Sequence, residues 1–173
     1  NHLLRIAINK KVISISLRKR LKPKLNFDLK LVKLKREKPQ FKNLKYKKIL
    51  SYLSKMNNSK SDIALVSNNK ILETGTSNIL FVKDEKIFTP KKGYYEGNTY
   101  KFFKTKIKKI IKKDILIKDI KKYDEILLIG SGKGVTSVKR IKEIKWKRKN
   151  LRKFKFLLRH YDAAINKCNS YRF

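Results

Sequence analysis

Alternation between apolar and polar residues predicts strands at the start of the chain. Successive side chains of a strand point to opposite faces, so a period of two marks a strand with one buried face. Three such runs open the sequence, and Pro23 separates the second from the third. Their order predicts a meander of three strands over residues 3–8, 12–17 and 29–34.

Short apolar runs around turn residues predict two hairpins in the middle of the chain. Residues 63–66 and 71–72 flank an Asn-rich turn, and residues 79–82 and 87–89 flank a charged turn. A buried strand follows over residues 125–129. After a glycine-rich loop, strand character resumes from Val135 to Ile144.

Apolar residues at steps of three and four predict three helices. The first covers residues 44–56, and the second begins near Gly97 and buries a face that runs as far as Ile111. Asn98 or Thr99 would cap this second helix. The third covers residues 151–165. With 173 residues the chain can bury one core, so we expect one mixed α/β (α+β) domain over residues 1–173.

The charge of the chain suggests an anionic partner, but its distribution does not. Lys and Arg number 48 against 13 acidic residues, a net charge of +35 that would attract nucleic acid. The lysines are scattered over nearly every segment and form no stripe. Lys, Ile and Asn can all be encoded by A- and T-rich codons, so base composition is an alternative explanation for the excess. We therefore do not expect a nucleic-acid partner, and a basic binding module remains the alternative of another class.

Other classes of partner and site lack a sequence signal. No apolar run approaches the roughly 20 residues that span a bilayer, so no membrane partner is expected. Cys168 is alone, which excludes an intrachain disulfide and a cysteine metal site. His2 and His160 have no local partners, so no metal is expected. The cytoplasm is the expected location.

Glu73 is the first candidate for chemistry. It follows two apolar residues and precedes Thr74, Thr76 and Ser77, a placement that can bury its carboxylate in a polar pocket. A buried carboxylate needs a cationic or N–H partner. The alternative is a glutamate at a strand end, in solvent.

Two glycine segments are candidates for binding an anion. Gly97, Asn98 and Thr99 stand at a predicted helix start, where free N–H groups and the helix dipole favour phosphate. Residues 130–134 follow a buried strand and can form a backbone nest, with the Ser131 hydroxyl as a further donor. A nucleotide P-loop is excluded because Gly134 follows the lysine where Ser or Thr is required.

Lys42 is the candidate amine. It lies at the entry to the first predicted helix, after Pro39 and Phe41. A lysine that attacks a carbonyl must lose its proton more easily than an exposed one. In so lysine-rich a chain, the simpler alternative is a solvated charge.

Taken together, these segments resemble the class IV pyridoxal-phosphate enzymes, which include branched-chain and D-amino acid aminotransferases and aminodeoxychorismate lyase. Residues 41–46 resemble the lysine motif of the family, and residues 62–82 resemble its central signature. The resemblance continues through Phe88 to Thr99 and through Tyr123 to Val138, which are similar to the two phosphate loops. It runs from about residue 3 to 146, in the family's order.

The resemblance implies a cofactor, pyridoxal 5'-phosphate, and a role for each candidate. Lys42 would bind the cofactor covalently and then move the proton at the substrate α-carbon, while Glu73 would pair with the pyridine nitrogen. The phosphate would be held by residues of the two glycine loops: Asn98, Thr99, Ser131 and Gly132.

The resemblance also implies an architecture and a reaction. The expected fold is the large, C-terminal domain of the family, like that of D-amino acid aminotransferase: a strand-rich pseudo-barrel with outer helices, with the N-terminal small domain missing. A homodimer, or a small domain supplied upstream, would complete it. The spacing from Lys42 to Tyr46 favours an aminodeoxychorismate lyase, which acts in folate synthesis on a small amino substrate. A branched-chain or D-amino acid type aminotransferase is the alternative.

Overall fold

Strands dominate the computed structural model, which describes residues 2–19, 25–42 and 45–167. The mixed α/β prediction is confirmed. The strands in these ranges are β1 (His2–Ile8), β2 (Ile13–Lys19), β3 (Phe27–Lys33), β4 (Ser61–Ser67), β5 (Lys70–Thr74), β6 (Asn78–Lys83), β7 (Lys86–Pro90), β8 (Ile110–Lys113), β9 (Ile115–Leu116), β10 (Glu125–Gly130), β11 (Gly134–Ile141) and β12 (Trp146–Lys147). The α-helices are α1 (Lys47–Leu53), α2 (Asn98–Lys106) and α3 (Arg152–Asn166), and short 3-10 turns cover Ile117–Lys122 and Lys142–Ile144.

Ten of the strands form one mixed sheet in the order β8-β7-β6-β10-β11-β3-β4-β5-β9, with β12 paired to β11. Strand β3 runs parallel to both β4 and β11, β7 runs parallel to β8, and the remaining pairs are antiparallel. Ile71 of β5 and Phe81 of β6 belong to one buried apolar cluster, although several strands separate them in the sheet order. The sheet therefore curls around a shared interior, as the pseudo-barrel prediction requires.

Alternation along the central strands separates this interior from the helices. In β10, Ile126 and Leu128 face the interior cluster, whereas Leu127 and Ile129 pack under α2 and α3. Helix α1 covers a third cluster on β3 and β4. Each fully buried aliphatic side chain contributes about 1.5–3 kcal/mol, so these clusters fix the strands whose ends carry the candidate site.

The predicted meander is wrong. Strands β1 and β2 pair with each other in a separate two-stranded sheet, and β3 joins the large sheet between β4 and β11. The alternation identified each strand, but strand pairing depends on contacts far apart in sequence. The break at Pro23 lies outside the described residues.

The hairpin of β1 and β2 exposes an apolar face. Cross-strand pairing brings the side chains of alternate residues together on this face, and each of them is 55–70% exposed: Leu4, Ile6, Ile8, Ile13, Ile15 and Leu17. The opposite face approaches the rest of the molecule, since Arg5 Nη2 donates a 3.3 Å hydrogen bond to the Tyr46 hydroxyl.

Two helix predictions need correction. Helix α2 ends at Lys106, and Ile110 and Ile111 belong to β8 instead, where their β-branched side chains lie beside β7. Gly97 is its N-cap residue, with no side-chain cap, so neither Asn98 nor Thr99 caps it. Helix α1 is shorter than predicted, and Leu44, its first predicted residue, lies outside the described residues.

The two central hairpins and the last helix agree with the sequence predictions. Asn68 and Asn69 have positive φ angles of 48° and 56°, and Asp84 and Glu85 have values of 48° and 59°, which suits tight two-residue turns. Among the described residues, no helix combines the length and the hydrophobicity that crossing a bilayer needs. Cys168 lies outside the described ranges.

Candidate functional site

Glu73 is buried at the end of β5, as the sequence predicts, and its partners are now identified. Arg36 Nε donates to Glu73 Oε1 at 2.7 Å, and the exposed fractions of the two side chains are 15% and 5%. The Tyr95 backbone N–H is 3.5 Å from Oε2, a long contact. Burial raises the pKa of the Glu73 carboxyl, and the charge and hydrogen bond of Arg36 oppose this rise. The Tyr95 N–H is therefore only a weak partner for Oε2.

Asn78, at the start of β6, joins the Glu73 site to the first glycine segment. Its amide donates to the Tyr95 carbonyl at 2.6 Å and accepts from the Gly97 N–H at 3.1 Å. A Cβ added at Gly97 would lie only 3.0 Å from Asn78 Oδ1. The loop that precedes α2 is thus fixed against the Glu73 turn by one buried side chain.

Helix α2 presents its N-terminus at this loop. Gly97 is extended, and the first helical residues are Asn98, which is exposed, and Thr99, which is buried. The first backbone N–H groups of a helix have no partner within it, and the helix dipole favours an anion there. Asn98 and Thr99 therefore lie at a helix N-terminus, as the sequence predicts, and their contact with a phosphate stays a prediction.

The second glycine loop packs against the same turn. Gly130 and Gly134 pair across the β10–β11 hairpin, leaving an exposed Ser131 and a partly exposed Gly132 at its tip. A Cβ at Gly130 would lie 3.2 Å from Ser77 Oγ, a tight contact that would make the Ser77 side chain shift by a few tenths of an ångström. The structure thus brings both glycine segments to the residues that follow Glu73.

Lys42 is not joined to the other predicted residues by a direct contact. It lies in the loop between β3 and α1, it is exposed, and among the described residues its side chain forms no hydrogen bond or ion pair with them. The same loop nevertheless reaches the site, because Arg36 binds Glu73. Gln40 also lines a cleft of about 470 Å³ together with Tyr95.

Arg36 is the functional candidate that sequence reasoning missed. A weak signal was present, because lysine greatly outnumbers arginine in this chain. Arginine is the better partner for a buried carboxylate, since its planar group donates several hydrogen bonds in fixed directions. Its second contact, from Nη2 to the Gly75 carbonyl at 3.4 Å, follows from that geometry.

Comparison with known proteins relates this chain to a protein family. The family model described as amino-transferase class IV matches residues 11–141. No curated protein matches the sequence. The solved structures with a similar fold include branched-chain aminotransferases and a protein assigned as an aminodeoxychorismate lyase.

Three solved structures illustrate the similarity. The branched-chain aminotransferase of Thermoproteus uzoniensis has a TM-score of 0.74 at 16% identity, over 92% of this chain and 60% of that one. A protein from Legionella pneumophila assigned as a 4-amino-4-deoxychorismate lyase has a TM-score of 0.70 at 18% identity, over 86% and 60%. The branched-chain aminotransferase of Thermobaculum terrenum, in its pyridoxal-phosphate form, has a TM-score of 0.71 at 16% identity, over 92% and 61%.

Each match covers a larger share of this chain than of the solved relative. This chain is almost wholly covered, yet it spans only about 60% of the length of the solved relatives. At such low identity the structures establish the fold, and the family model covers most of the sequence in addition. The chain therefore belongs to the class IV aminotransferase family.

Proposed function

We propose that this chain carries the cofactor-binding half of a pyridoxal-phosphate-dependent enzyme. The observation that supports this most is the convergence of three segments around the residues 73–78. Glu73 is buried there, Asn78 holds the loop before α2, and Gly130 packs against Ser77. A carboxylate beside two sites for an anion suits a ligand with a basic ring nitrogen at one end and a phosphate at the other.

The residues present fit this cofactor. Glu73 would accept a hydrogen bond from a protonated ring nitrogen, and the added positive charge would offset the cost of burying the carboxylate. The N-terminus of α2, with Asn98 and Thr99, and the Ser131–Gly132 tip supply N–H and hydroxyl donors for the phosphate.

Lys42 would have two tasks in this proposal: its amine would hold the cofactor covalently, and it would move a proton at the substrate α-carbon. Pyridoxal phosphate, when bound, supplies an electron-poor ring that stabilises negative charge at that carbon. Glu73 keeps the ring nitrogen protonated and so maintains this effect. Arg36 orients Glu73 and lowers the pKa of its carboxyl, against the larger effect of burial.

We further propose that residues 1–173 correspond to the large C-terminal domain of the family. The relatives extend well beyond the matched region, and the hairpin of β1 and β2 leaves an apolar face uncovered. A small domain supplied upstream or by a second copy of the chain would complete the substrate pocket. The cytoplasm is the location we propose.

For the reaction we favour an aminodeoxychorismate lyase, which forms 4-aminobenzoate and pyruvate for folate synthesis. The lysine motif resembles the lyases in its spacing, and one similar structure is assigned to that activity. The cleft beside Tyr95 adds support, because Lys91, Lys92 and Lys101 line it and the substrate of the lyase carries two carboxylates. An aminotransferase of the branched-chain or D-amino acid type is the second candidate, supported by the other similar structures.

Cofactor uptake is the first test. Purified protein titrated with pyridoxal phosphate should develop an absorbance band near the visible edge, and Lys42→Ala should abolish the covalent part of that band. Lys48→Ala, an exposed lysine on α1, is the matched control and should behave like the unsubstituted chain. A chain that develops no band, or whose band survives Lys42→Ala unchanged, contradicts the proposal.

Product analysis separates the two reactions. A lyase forms 4-aminobenzoate without an amino acceptor, whereas an aminotransferase requires an acceptor. Binding to DNA that weakens steeply with added salt, without cofactor uptake, would favour a basic or inactive binding module instead.

A further inference from the structure

Lys133 turns its side chain inward from the second glycine loop. Its ammonium lies 2.6 Å from Asp62 Oδ2 and 4.5 Å from the centre of the Phe27 ring. The exposed fraction of the Lys133 side chain is 11%, and that of Asp62 is 0%. Most lysines keep the ammonium in water, because burying a charge costs several kcal/mol unless it is paired. The position of the Lys133 ammonium is therefore set by its contacts with Asp62 and the Phe27 ring, and not by exposure to water.

Asp62 connects Lys133 to the turn that follows Glu73. Its Oδ2 also accepts a 2.7 Å hydrogen bond from the Thr76 hydroxyl, and Oδ1 accepts one of 2.8 Å from the Ile63 N–H. The next residue in the turn, Ser77, is the one that packs against Gly130. The Lys133–Asp62 ion pair thus connects the end of the glycine loop to the turn, and the Gly130–Ser77 contact connects the start of the loop to the same turn.

A backbone hydrogen bond links Lys133 to the other end of the same loop. The Lys133 N–H donates to the Gly130 carbonyl at 3.1 Å and closes a tight turn around Ser131 and Gly132. Gly134, with φ of +66°, then returns the chain to β11. In so short a turn, the direction of the Ser131 and Gly132 donors depends on where Lys133 is held.

We propose that Lys133 is a positioning residue for the cofactor phosphate. It acts through the Asp62 ion pair, which holds the Ser131–Gly132 tip in the orientation that receives the anion. This inference rests on the proposed function. It makes a specific demand: loss of the ion pair must weaken recognition of the phosphate and leave recognition of the ring unaffected.

Comparing pyridoxal phosphate with pyridoxal tests that demand, because pyridoxal lacks only the phosphate. Each ligand is titrated against the unsubstituted chain and against Lys133→Met, which keeps an unbranched side chain one atom shorter and removes its charge. We expect the dissociation constant for pyridoxal phosphate to rise about tenfold, the lower end of what losing an outer orienting partner costs in metal sites. The constant for pyridoxal should stay the same. Lys139→Met, an exposed lysine on β11, controls for the lost charge and should change neither constant.

Lys133→Met leaves Asp62 buried without its cation, which can destabilise the whole fold. A second variant separates this general destabilisation from a specific effect on the phosphate. Lys133→Met combined with Asp62→Asn removes both charges and should show the same selective loss for pyridoxal phosphate. Unchanged affinity for pyridoxal phosphate in the double variant overturns the inference, as does an equal loss for both ligands. If the unsubstituted chain binds neither ligand, the proposed function itself fails, and this inference fails with it.

Discussion

Glu73 is buried, and burial makes its negative charge costly. Burial raises the pKa of its carboxyl, while Arg36 keeps the ionised form accessible. A charge-assisted hydrogen bond to a ring nitrogen contributes about 1.5–3 kcal/mol. Glu73→Gln should therefore weaken pyridoxal-phosphate binding by about ten- to a hundredfold, measured by titration of the absorbance band.

The control for Glu73 is Glu37→Gln. Glu37 is exposed, lies next to Arg36 in the same loop and should have no effect on the cofactor. Equal affinity in Glu73→Gln and the unsubstituted chain would show that this carboxylate does not pair with the ring.

At the residue scale, the sequence identified the groups but not all of their partners. Glu73 was predictable because two apolar residues precede it and small polar residues follow, a local pattern that the structure confirms as buried. Arg36 lies 37 positions away along the chain, and its contact with Glu73 arises from folding alone. Asp62 and Lys133, separated by 71 positions, form their ion pair for the same reason.

Asn78 is the residue through which β6 holds the loop before α2. Its amide satisfies the Tyr95 carbonyl and the Gly97 N–H, two backbone groups that would otherwise lose their partner. An unsatisfied buried polar group costs about 1–3 kcal/mol. Asn78→Ala should lower the free energy of unfolding by about that amount per group, measured by urea denaturation.

Two further variants show whether the amide itself matters at position 78. Asn78→Asp keeps an acceptor for Gly97 but faces the Tyr95 carbonyl with a second oxygen, so it should also destabilise the protein. Asn166→Ala, at the exposed end of α3, should leave the unfolding free energy within about 0.5 kcal/mol. Stability unchanged in both position-78 variants would contradict the bridging role.

Glu125 connects the start of β10 to the N-terminus of α3. Its carboxylate oxygens accept from the N–H groups of Lys153 and Phe154 at 2.8 and 3.0 Å. Burial raises the pKa of the Glu125 carboxyl above its usual 4.5, against these two hydrogen bonds. The folded protein therefore holds this proton more tightly than the unfolded chain does, and it loses stability as the pH rises from 4.5 through the raised pKa.

Glu125→Gln isolates this effect, because glutamine does not titrate. The unsubstituted chain should lose its advantage in unfolding free energy over the variant as the pH rises through that window, and the difference should be constant above it. Urea denaturation of both proteins at several pH values measures this. A difference that grows with pH would mean that the hydrogen bonds outweigh burial and that the pKa is lowered.

Elements were predicted better than their boundaries and pairings. Period-two alternation found strands and residue spacing found α3, because both patterns are local. The sequence prediction placed the end of α2 too late, because Ile110 and Ile111 continue its apolar spacing. In the structure these two residues form part of β8, which pairs in parallel with β7. The parallel pairing of β3 with β4 and β11 has no local signal at all.

At the scale of the whole molecule, basic residues greatly outnumber acidic ones and give a net charge of +35. Most of the described carboxylates already form an ion pair or accept a hydrogen bond, and many lysines remain exposed. Like charges brought together by folding repel one another, and this repulsion destabilises the compact state. Salt shortens the range of that repulsion, from a Debye length of about 10 Å at 0.1 M to about 3 Å at 1 M.

The melting temperature should therefore rise as sodium chloride is increased from 0.1 to 1 M. Calorimetry on one protein preparation at each salt concentration measures this. A gain of about 1 kcal/mol corresponds to roughly 2–4 °C for a chain of this size. Potassium chloride should give the same shift at equal concentration, because screening depends on ionic strength and not on the cation. If the melting temperature instead falls as salt is added, the surface ion pairs contribute more than the repulsion costs, and the excess of lysine is balanced within the fold.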